Sequence, residues 1–274
     1  MPTVITLFAK KGGVGKTTLS LNLAGFLASQ GHRVLLIDSD PQASLSQGLL
    51  GADVVETLQK TQTVAALFDD VVEPEIGLII HEVNNGERVL ENIWLVPASD
   101  LLQPFSHPKP LECGELQNIY RDFISEIAEH VDYVICDAPP DCSNLLSWNC
   151  LMAADYVLTP VNMETYSAQS VAGVNRKIDE AHRHGNPHLR SLGYVVNLRA
   201  KRFALHEANE ERFRSIYGAQ VFSTVLYNSI AVAEAQAMNT HIFEYAPKSP
   251  ACKATQAMGA VSYTHLTLPT IYSV

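Results

Sequence analysis

The 274-residue chain has few cysteines, and their arrangement argues against two common kinds of cysteine-dependent site. There are five, an odd number, and no two of them stand in a Cys-x-x-Cys spacing. Disulfide frameworks use paired cysteines, and structural zinc sites use closely spaced cysteine and histidine ligands. We therefore expect reduced thiols and neither disulfides nor zinc.

Long apolar runs are also missing. No run approaches the roughly 20 residues needed to cross a bilayer, and no signal-peptide pattern precedes the first apolar segment. Apolar residues make up 47% of the chain and charged residues 18%, so a sizeable core can form. We expect a soluble, cytoplasmic protein, and the length fits one large α/β domain or two small ones.

Positive charge is scarce, because the formal net charge is −10. Its distribution is uneven, however, since residues 176–202 carry seven basic residues against two acidic ones. Such a band is either the footprint of a nucleic-acid backbone or a solvated helix face, and charge alone favours neither. The seven basic residues are Arg176, Lys177, Arg183, Arg190, Arg199, Lys201 and Arg202.

What the sequence does contain is a glycine-rich stretch, Lys-Lys-Gly-Gly-Val-Gly-Lys-Thr-Thr, at residues 10–18. It follows a β-prone run at residues 4–9 and opens an amphipathic segment, which is the strand–turn–helix context of a phosphate-binding loop. Glycines let successive N–H groups point at an anion, and the helix N-terminus adds positive potential there. Lys16 is placed to reach the β- and γ-phosphates and Thr17 to bind Mg²⁺. The predicted nucleotide contacts are Gly12, Gly13, Val14, Gly15, Lys16, Thr17 and Thr18.

A second signal is an aspartate after a buried strand. The apolar run at residues 133–136 ends in Asp137, and the run at residues 34–37 ends in Asp38-Ser39-Asp40-Pro41. The carboxyl ends of parallel strands meet beside the phosphate loop of an open α/β sheet. Asp137 is therefore predicted to hold a Mg²⁺-bound water. Asp40 is also a plausible helix cap, and the two roles are compatible.

These motifs together resemble a known family. Lys11 directly precedes the two glycines, which resembles the deviant Walker A motif of the ParA/MinD group of P-loop ATPases. Residues 38–42 resemble the ParA Asp-x-Asp-Pro-Gln motif, and residues 138–140 resemble its γ-phosphate-sensing switch. The resemblance implies that Lys11 reaches the partner's nucleotide in a sandwich dimer. It also implies that Asp40 positions the attacking water and that Asp38 lies on the Mg²⁺ side, so the implied catalytic set is Lys11, Lys16 and Asp40.

The ParA resemblance further implies an ATP- and Mg²⁺-dependent homodimer that binds DNA without sequence preference while bound to ATP. A ParB-like centromere-binding partner would stimulate hydrolysis, and the ATP-bound form would associate with the nucleoid. Asn197 matches a polar residue that contacts adenine in the family, although a strand-end cap explains it nearly as well. One family arginine before Glu234-Ala235 is missing, since the nearby positions are Tyr227, Asn228 and Ala231. The remaining candidates for DNA contact are Arg199, Lys201, Arg202, Lys248 and Lys253.

Two other classes of protein share parts of this pattern. A MinD-like positioning ATPase would need a C-terminal amphipathic helix with basic and bulky apolar faces, and the present tail lacks one. An ATP-driven iron–sulfur carrier would need cysteines placed to bridge a cluster between subunits, and their spacing gives no such signal. Both remain alternatives; the iron–sulfur carrier is the less expected of the two, and membrane is not among the partners we expect.

Apolar strands alternating with helices predict one doubly wound, mostly parallel sheet flanked by helices, the P-loop NTPase fold. We place that single domain at residues 1–260. We also expect an edge strand at residues 77–83 and an extended segment at residues 242–247. From residue 261 onward β-branched residues and Pro269 interrupt the helical pattern, and the tail looks like a translated sequencing adapter. Residues 261–274 are therefore predicted to be non-native.

Overall fold

The computed structural model describes residues 1–69, 74–84, 89–164, 166–201 and 203–267, with the backbone alone for residues 265–267. Strands of four to ten residues form the sheet, and most of them come from the continuous apolar runs that burial on both faces of a parallel sheet requires. The eight strands are β1 Thr3–Leu7, β2 Val34–Asp38, β3 His81–Asn84, β4 Val89–Val96, β5 Tyr133–Asp137, β6 Tyr156–Asn162, β7 Arg190–Arg199 and β8 Val221–Tyr227.

These strands form one sheet in the order β3-β4-β2-β5-β1-β6-β7-β8. Edge strand β3 is antiparallel to β4, and the other pairs are parallel. The first strand lies near the centre, between β5 and β6, so the loop that follows it opens at the middle of the sheet's carboxyl edge. The prediction of a mostly parallel, doubly wound sheet is confirmed.

The helices cover both faces of the sheet. Successive residues of β1, β2 and β5 point alternately into two separate cores, as the two-residue period of a strand requires. The α-helices are α1 Lys16–Ser29, α2 Ser44–Leu50, α3 Ala52–Thr57, α4 Ile76–Ile79, α5 Ile119–Glu126, α6 Leu145–Ala153, α7 Ala168–His184, α8 Ala204–Tyr217, α9 Ile230–Ala237, α10 Ile242–Tyr245 and α11 Pro250–Thr267. None of the helices in the described ranges is both long and apolar enough to cross a bilayer.

Two local predictions are wrong. Residues 76–79 form the short helix α4 instead of the start of an edge strand, which begins only at His81. Residues 242–245 form α10 instead of an extended segment, and the N–H of Ile242 donates to Asn22 Oδ1 of α1 at 2.9 Å. Both segments are short apolar runs, in which periodicity does not separate helix from strand.

The predicted break at residue 261 is also not found, because α11 continues to Thr267. The side chain of Ser262 is buried, and its hydroxyl donates to the Met258 carbonyl at 3.1 Å. Thr264 bonds back to Ala260 in the same way at 2.8 Å. Hydroxyl groups that bond to the carbonyl four residues earlier are compatible with helix, which explains why the composition misled us. The origin of residues 261–274 stays a prediction, and residues 268–274 lie outside the described part.

Candidate active site

The loop between β1 and α1 bends at two glycines. Gly13 and Gly15 have φ values of +71° and +85°, in the left-handed region that favours glycine. The N–H of Leu19 makes a hydrogen bond to the Gly15 carbonyl at 3.0 Å. The N–H groups of residues 16–18 precede that bond and so lack acceptors within the helix. These N–H groups make this end of α1 suited to bind an anion, and we refer to it as the anion-binding cradle.

Lys16 follows the second glycine and is 8% exposed. Burial lowers the pKa of its ammonium group, and the nearby carboxylates of Asp137 and Asp40 oppose that shift. A buried charge is retained only where opposite charges or hydrogen bonds compensate its lost hydration. The structure thus brings two of the predicted site residues, Asp137 and Asp40, close to the amine of a third, Lys16.

The predicted magnesium-side residues lie next to each other. Asp38 and Asp137 end neighbouring strands β2 and β5 in direct register, and both are buried. Burial raises the pKa of Asp38 to about 7, and the neighbouring charge of Asp137 adds to the shift. Burial also raises the pKa of Asp137 to about 6, although hydrogen bonding from Thr17 and the charge of Lys16 hold it down. Two buried carboxylates side by side repel each other, and a cation relieves that repulsion.

Asp38 also organises the loop that follows it. Its Oδ1 accepts from the Asp40 N–H at 3.1 Å, while its Oδ2 accepts from the N–H and hydroxyl of Ser46 at 2.9 and 2.7 Å. Asp40 is half-buried, and its own Oδ1 accepts from the Gln42 N–H at 3.0 Å. Asp38 therefore fixes the backbone position of Asp40, the residue predicted to position the attacking water.

Asn197 has a contact that the sequence did not predict. Its Nδ2 donates to the Val14 carbonyl at 2.8 Å, and the residue is 5% exposed. A Cβ atom on Gly15 would lie 2.3 Å from that nitrogen, so the close approach requires glycine there. The carboxyl end of β7 thereby supports the phosphate loop. Asn197 also lines a cleft with Tyr227 and Gln236, so the predicted adenine contact remains compatible with its position.

Comparison with known proteins identifies the family that carries this arrangement. Residues 2–191 match the AAA domain family (AAA_31). The chain is 35% identical over 250 residues to a chromosome-partitioning ATPase, Soj, of Thermus thermophilus, covering 91% of each chain. The chain belongs to the ParA-type P-loop ATPases. It is therefore an ATPase by family.

Solved structures support the fold alone, because their sequence identity is lower. McdA from Cyanothece superimposes with a TM-score of 0.79 at 22% identity, over 96% of this chain and all of the other. Cobyrinic acid a,c-diamide synthase from Mycobacterium smegmatis, solved with ADP and magnesium, gives 0.77 at 24% identity over the whole of both chains. At this level of identity the superposition shows the fold and not what this ParA-type chain acts on.

The two lysines at the start of the ParA-type loop lie on its α7 side. Lys10 is exposed and packs along α7, where a Cβ on Gly173 would lie 3.1 Å from its Cδ. Lys11 is half-exposed and lies beside Val14 at the rim of a small pocket between the loop and the start of α7. Both lysines line this pocket, and Lys10 in addition packs against Gly173 of α7.

The basic band of residues 176–202 does not form one surface. Arg190 and Arg199 are the first and last residues of β7, which places them about 30 Å apart along the strand. Arg199 is held by Glu210 at 2.9 Å, and its side chain is 12% exposed. Arg202 lies outside the described residues. A sequence band was therefore a poor guide to a continuous patch, since a strand carries its two ends to opposite edges of the sheet.

Among the predicted DNA contacts, three lysines are exposed at one end of the molecule. The Lys201 Nζ lies 5.4 Å from the centre of the Tyr227 ring, and Lys248 and Lys253 are exposed at the start of α11. Tyr227 and the start of α11, at Ala251, line the same cleft. Lys201 therefore lies beside a residue that lines this cleft, although none of the three lysines lines the cleft itself.

Sequence reasoning missed two supporting side chains. The Ser20 hydroxyl, one turn into α1, donates to Asp137 Oδ1 at 3.2 Å. Gln236 of α9 donates from Nε2 to Thr18 Oγ1 at 3.0 Å. The motif gives the serine no distinct signal, although its four-residue spacing from Lys16 places both on one face of the helix. No pattern around Gln236 indicated its partner, because 218 residues separate the two.

The buried carboxylates of Asp38 and Asp137 should make the free energy of unfolding depend on pH. A carboxyl whose folded-state pKa is raised contributes stability that is present below its unfolded value near 4 and lost as the pH rises through the folded value. In EDTA, we expect the free energy of unfolding to fall between about pH 4 and pH 7 from this source. Asp137→Asn removes one charge and should flatten that dependence, as urea denaturation at several pH values would measure. The matched control is Asp53→Asn on the exposed face of α3; equal slopes in wild type and Asp137→Asn would contradict the assignment.

Proposed function

We propose that this chain binds ATP with Mg²⁺ at the β1–α1 loop, dimerises around two nucleotides and binds DNA non-specifically as that dimer. In this proposal a ParB-like partner stimulates hydrolysis, and the cycle positions DNA. The observation that carries it is the buried amine of Lys16, which lies among Asp137 and Asp40 at the N-terminus of α1. The Thermus thermophilus relative is a chromosome-partitioning ATPase, which supports this choice of process.

The residues present fit a hydrated magnesium ion. Thr17 and Asp137 supply oxygen donors at the sheet's edge, and oxygen is the ligand type that Mg²⁺ prefers. Both oxygens of Asp38 already accept protein hydrogen bonds, so this carboxylate suits a position behind a bound water. When bound, Mg²⁺ offsets the negative charge of the phosphates. Because Asp38 and Asp137 repel each other, a cation bound beside them would be stabilised.

The chain's own residues account for the remaining requirements of phosphoryl transfer, which are positioning and charge stabilisation. The three N–H groups at the start of α1 bind phosphate oxygens, and Lys16 neutralises charge near the transferred group. Asp40, half-exposed at the start of its turn, is placed to orient a water molecule. Asn197 and the glycines hold the loop in the shape that these contacts need.

Dimerisation is assigned to Lys11. The expected arrangement places this amine on the nucleotide of a second copy, so removing it should spare nucleotide binding by the monomer and prevent the sandwich. We expect Lys11→Ala to bind a fluorescent ATP analogue and yet remain monomeric with a slowly hydrolysed analogue and Mg²⁺. Light scattering after size-exclusion chromatography measures the mass.

Lys10→Ala is the matched control, because this neighbouring amine packs along α7. It should dimerise as the wild type does. A Lys11→Ala protein that dimerises normally with the ATP analogue would exclude the proposed cross-subunit role.

DNA binding is assigned to three exposed lysines, Lys201, Lys248 and Lys253. Each phosphate contact contributes about 0.9 to the slope of log affinity against log salt for duplex DNA. Replacing Lys201, Lys248 and Lys253 together by Ala should therefore weaken retention on DNA of any sequence and lower the salt slope by up to about three. Retention by the wild type should require ATP and be lost with ADP.

The measurement is binding to two unrelated duplexes at several salt concentrations, with Lys109→Ala as control. Lys109 is exposed and paired with Glu112, in a different part of the chain. Unchanged retention by the triple variant would remove these lysines from the interface. Binding of the wild type to anionic vesicles instead of DNA would favour a membrane-positioning ATPase.

A further inference from the structure

Apolar packing contributes little to holding helix α9 against the rest of the domain. Of its eight residues, Ala235 alone is buried, whereas Ile230 at its start is 79% exposed. An element that buries so little apolar surface opens readily, since local stability follows the apolar contacts it makes. Its position must therefore depend on other interactions.

Those interactions are hydrogen bonds to the first turns of α1. Gln236 Nε2 donates to Thr18 Oγ1 at 3.0 Å. Asn22, one turn further along α1, donates from Nδ2 to the Thr18 carbonyl and accepts the Ile242 N–H on Oδ1, both at 2.9 Å. The connection between α9 and α10 is thus tied at both ends to one polar row on α1. A third bond, from the Tyr245 hydroxyl to Glu234, is solvent-exposed and is expected to contribute less.

The same glutamine borders the cleft beside the phosphate loop. Gln236 lines this cleft together with Val232 of the same helix and with Thr18 and Asn197 beside the phosphate loop. Thr18 belongs to the three residues whose N–H groups form the anion-binding cradle. Gln236 therefore links α9 to the phosphate loop within a cleft that opens beside the cradle.

Resting on the proposed nucleotide binding, we propose that Gln236 is a positioning residue that couples α9 to the phosphate loop through the Thr18 hydroxyl. Nucleotide in the cradle fixes the first turn of α1, and Gln236 then fixes α9. By thermodynamic reciprocity, ordered α9 favours the loop conformation that binds nucleotide. The exposed start of α9 thereby becomes a surface whose order depends on nucleotide.

The test combines hydrogen–deuterium exchange with affinity measurements on the full chain. In the wild type, ADP with Mg²⁺ should slow amide exchange in residues 230–242 by about tenfold or more. Gln236→Ala should lose most of that protection and bind ADP about 2- to 10-fold more weakly, as expected for one neutral hydrogen bond. Thr18→Val, which keeps the side-chain shape and removes the acceptor, should behave the same way. The double variant should be no worse than either single variant, because both remove the same bond.

Gln256→Ala, an exposed glutamine on α11, is the matched control and should leave both measurements unchanged. Thermal unfolding without nucleotide checks that the variants fold. Losses that add in the double variant, or full protection of residues 230–242 in Gln236→Ala with ADP bound, would overturn the coupling. A wild type that binds no nucleotide would instead remove the proposed function along with this inference.

Discussion

The site depends on holding one buried ammonium group close to the buried carboxylates that end two neighbouring strands. Lys16 loses hydration at the start of α1, while Asp38 and Asp137 lose theirs at the ends of neighbouring strands. Each charge alone would be unfavourable in this setting; Lys16 and Asp137 compensate each other, whereas Asp38 is held by hydrogen bonds from Ser46 and Asp40. Strand register therefore controls the chemistry, since a shift by one residue would turn each aspartate to the opposite face.

The elements around these charges serve mainly to hold backbone groups in place. Asn197 supports the phosphate loop from β7, Ser46 fixes Asp38 from α2, and Gln236 reaches Thr18 from α9. These three contacts come from separate parts of the chain and meet at one edge of the sheet. The ParA-type loop is consequently a joint product of the whole domain, although its motif is nine residues long.

Much of the site followed from local sequence because its chemistry is local. The glycines, Lys16 and Thr17 lie within a few residues of each other, and strand-end aspartates meet at the same edge in any sheet of this kind. The supporting contacts of Asn197 and Gln236 were not predicted, because each joins residues more than 180 positions apart. The charge band of residues 176–202 misled for a related reason, since part of it lies on α7 and Arg190 and Arg199 lie at opposite ends of a long strand. Short apolar runs, such as residues 76–79, failed because both helix and strand can bury them.

The central claim is that the β1–α1 loop binds a nucleoside triphosphate through Lys16. Equilibrium binding of a fluorescent ATP analogue, with and without Mg²⁺, tests it most directly in the wild type and in Lys16→Ala. The account predicts that Mg²⁺ strengthens binding by the wild type and that Lys16→Ala abolishes it while the protein stays folded. Binding by Lys16→Ala with unchanged affinity would contradict the account.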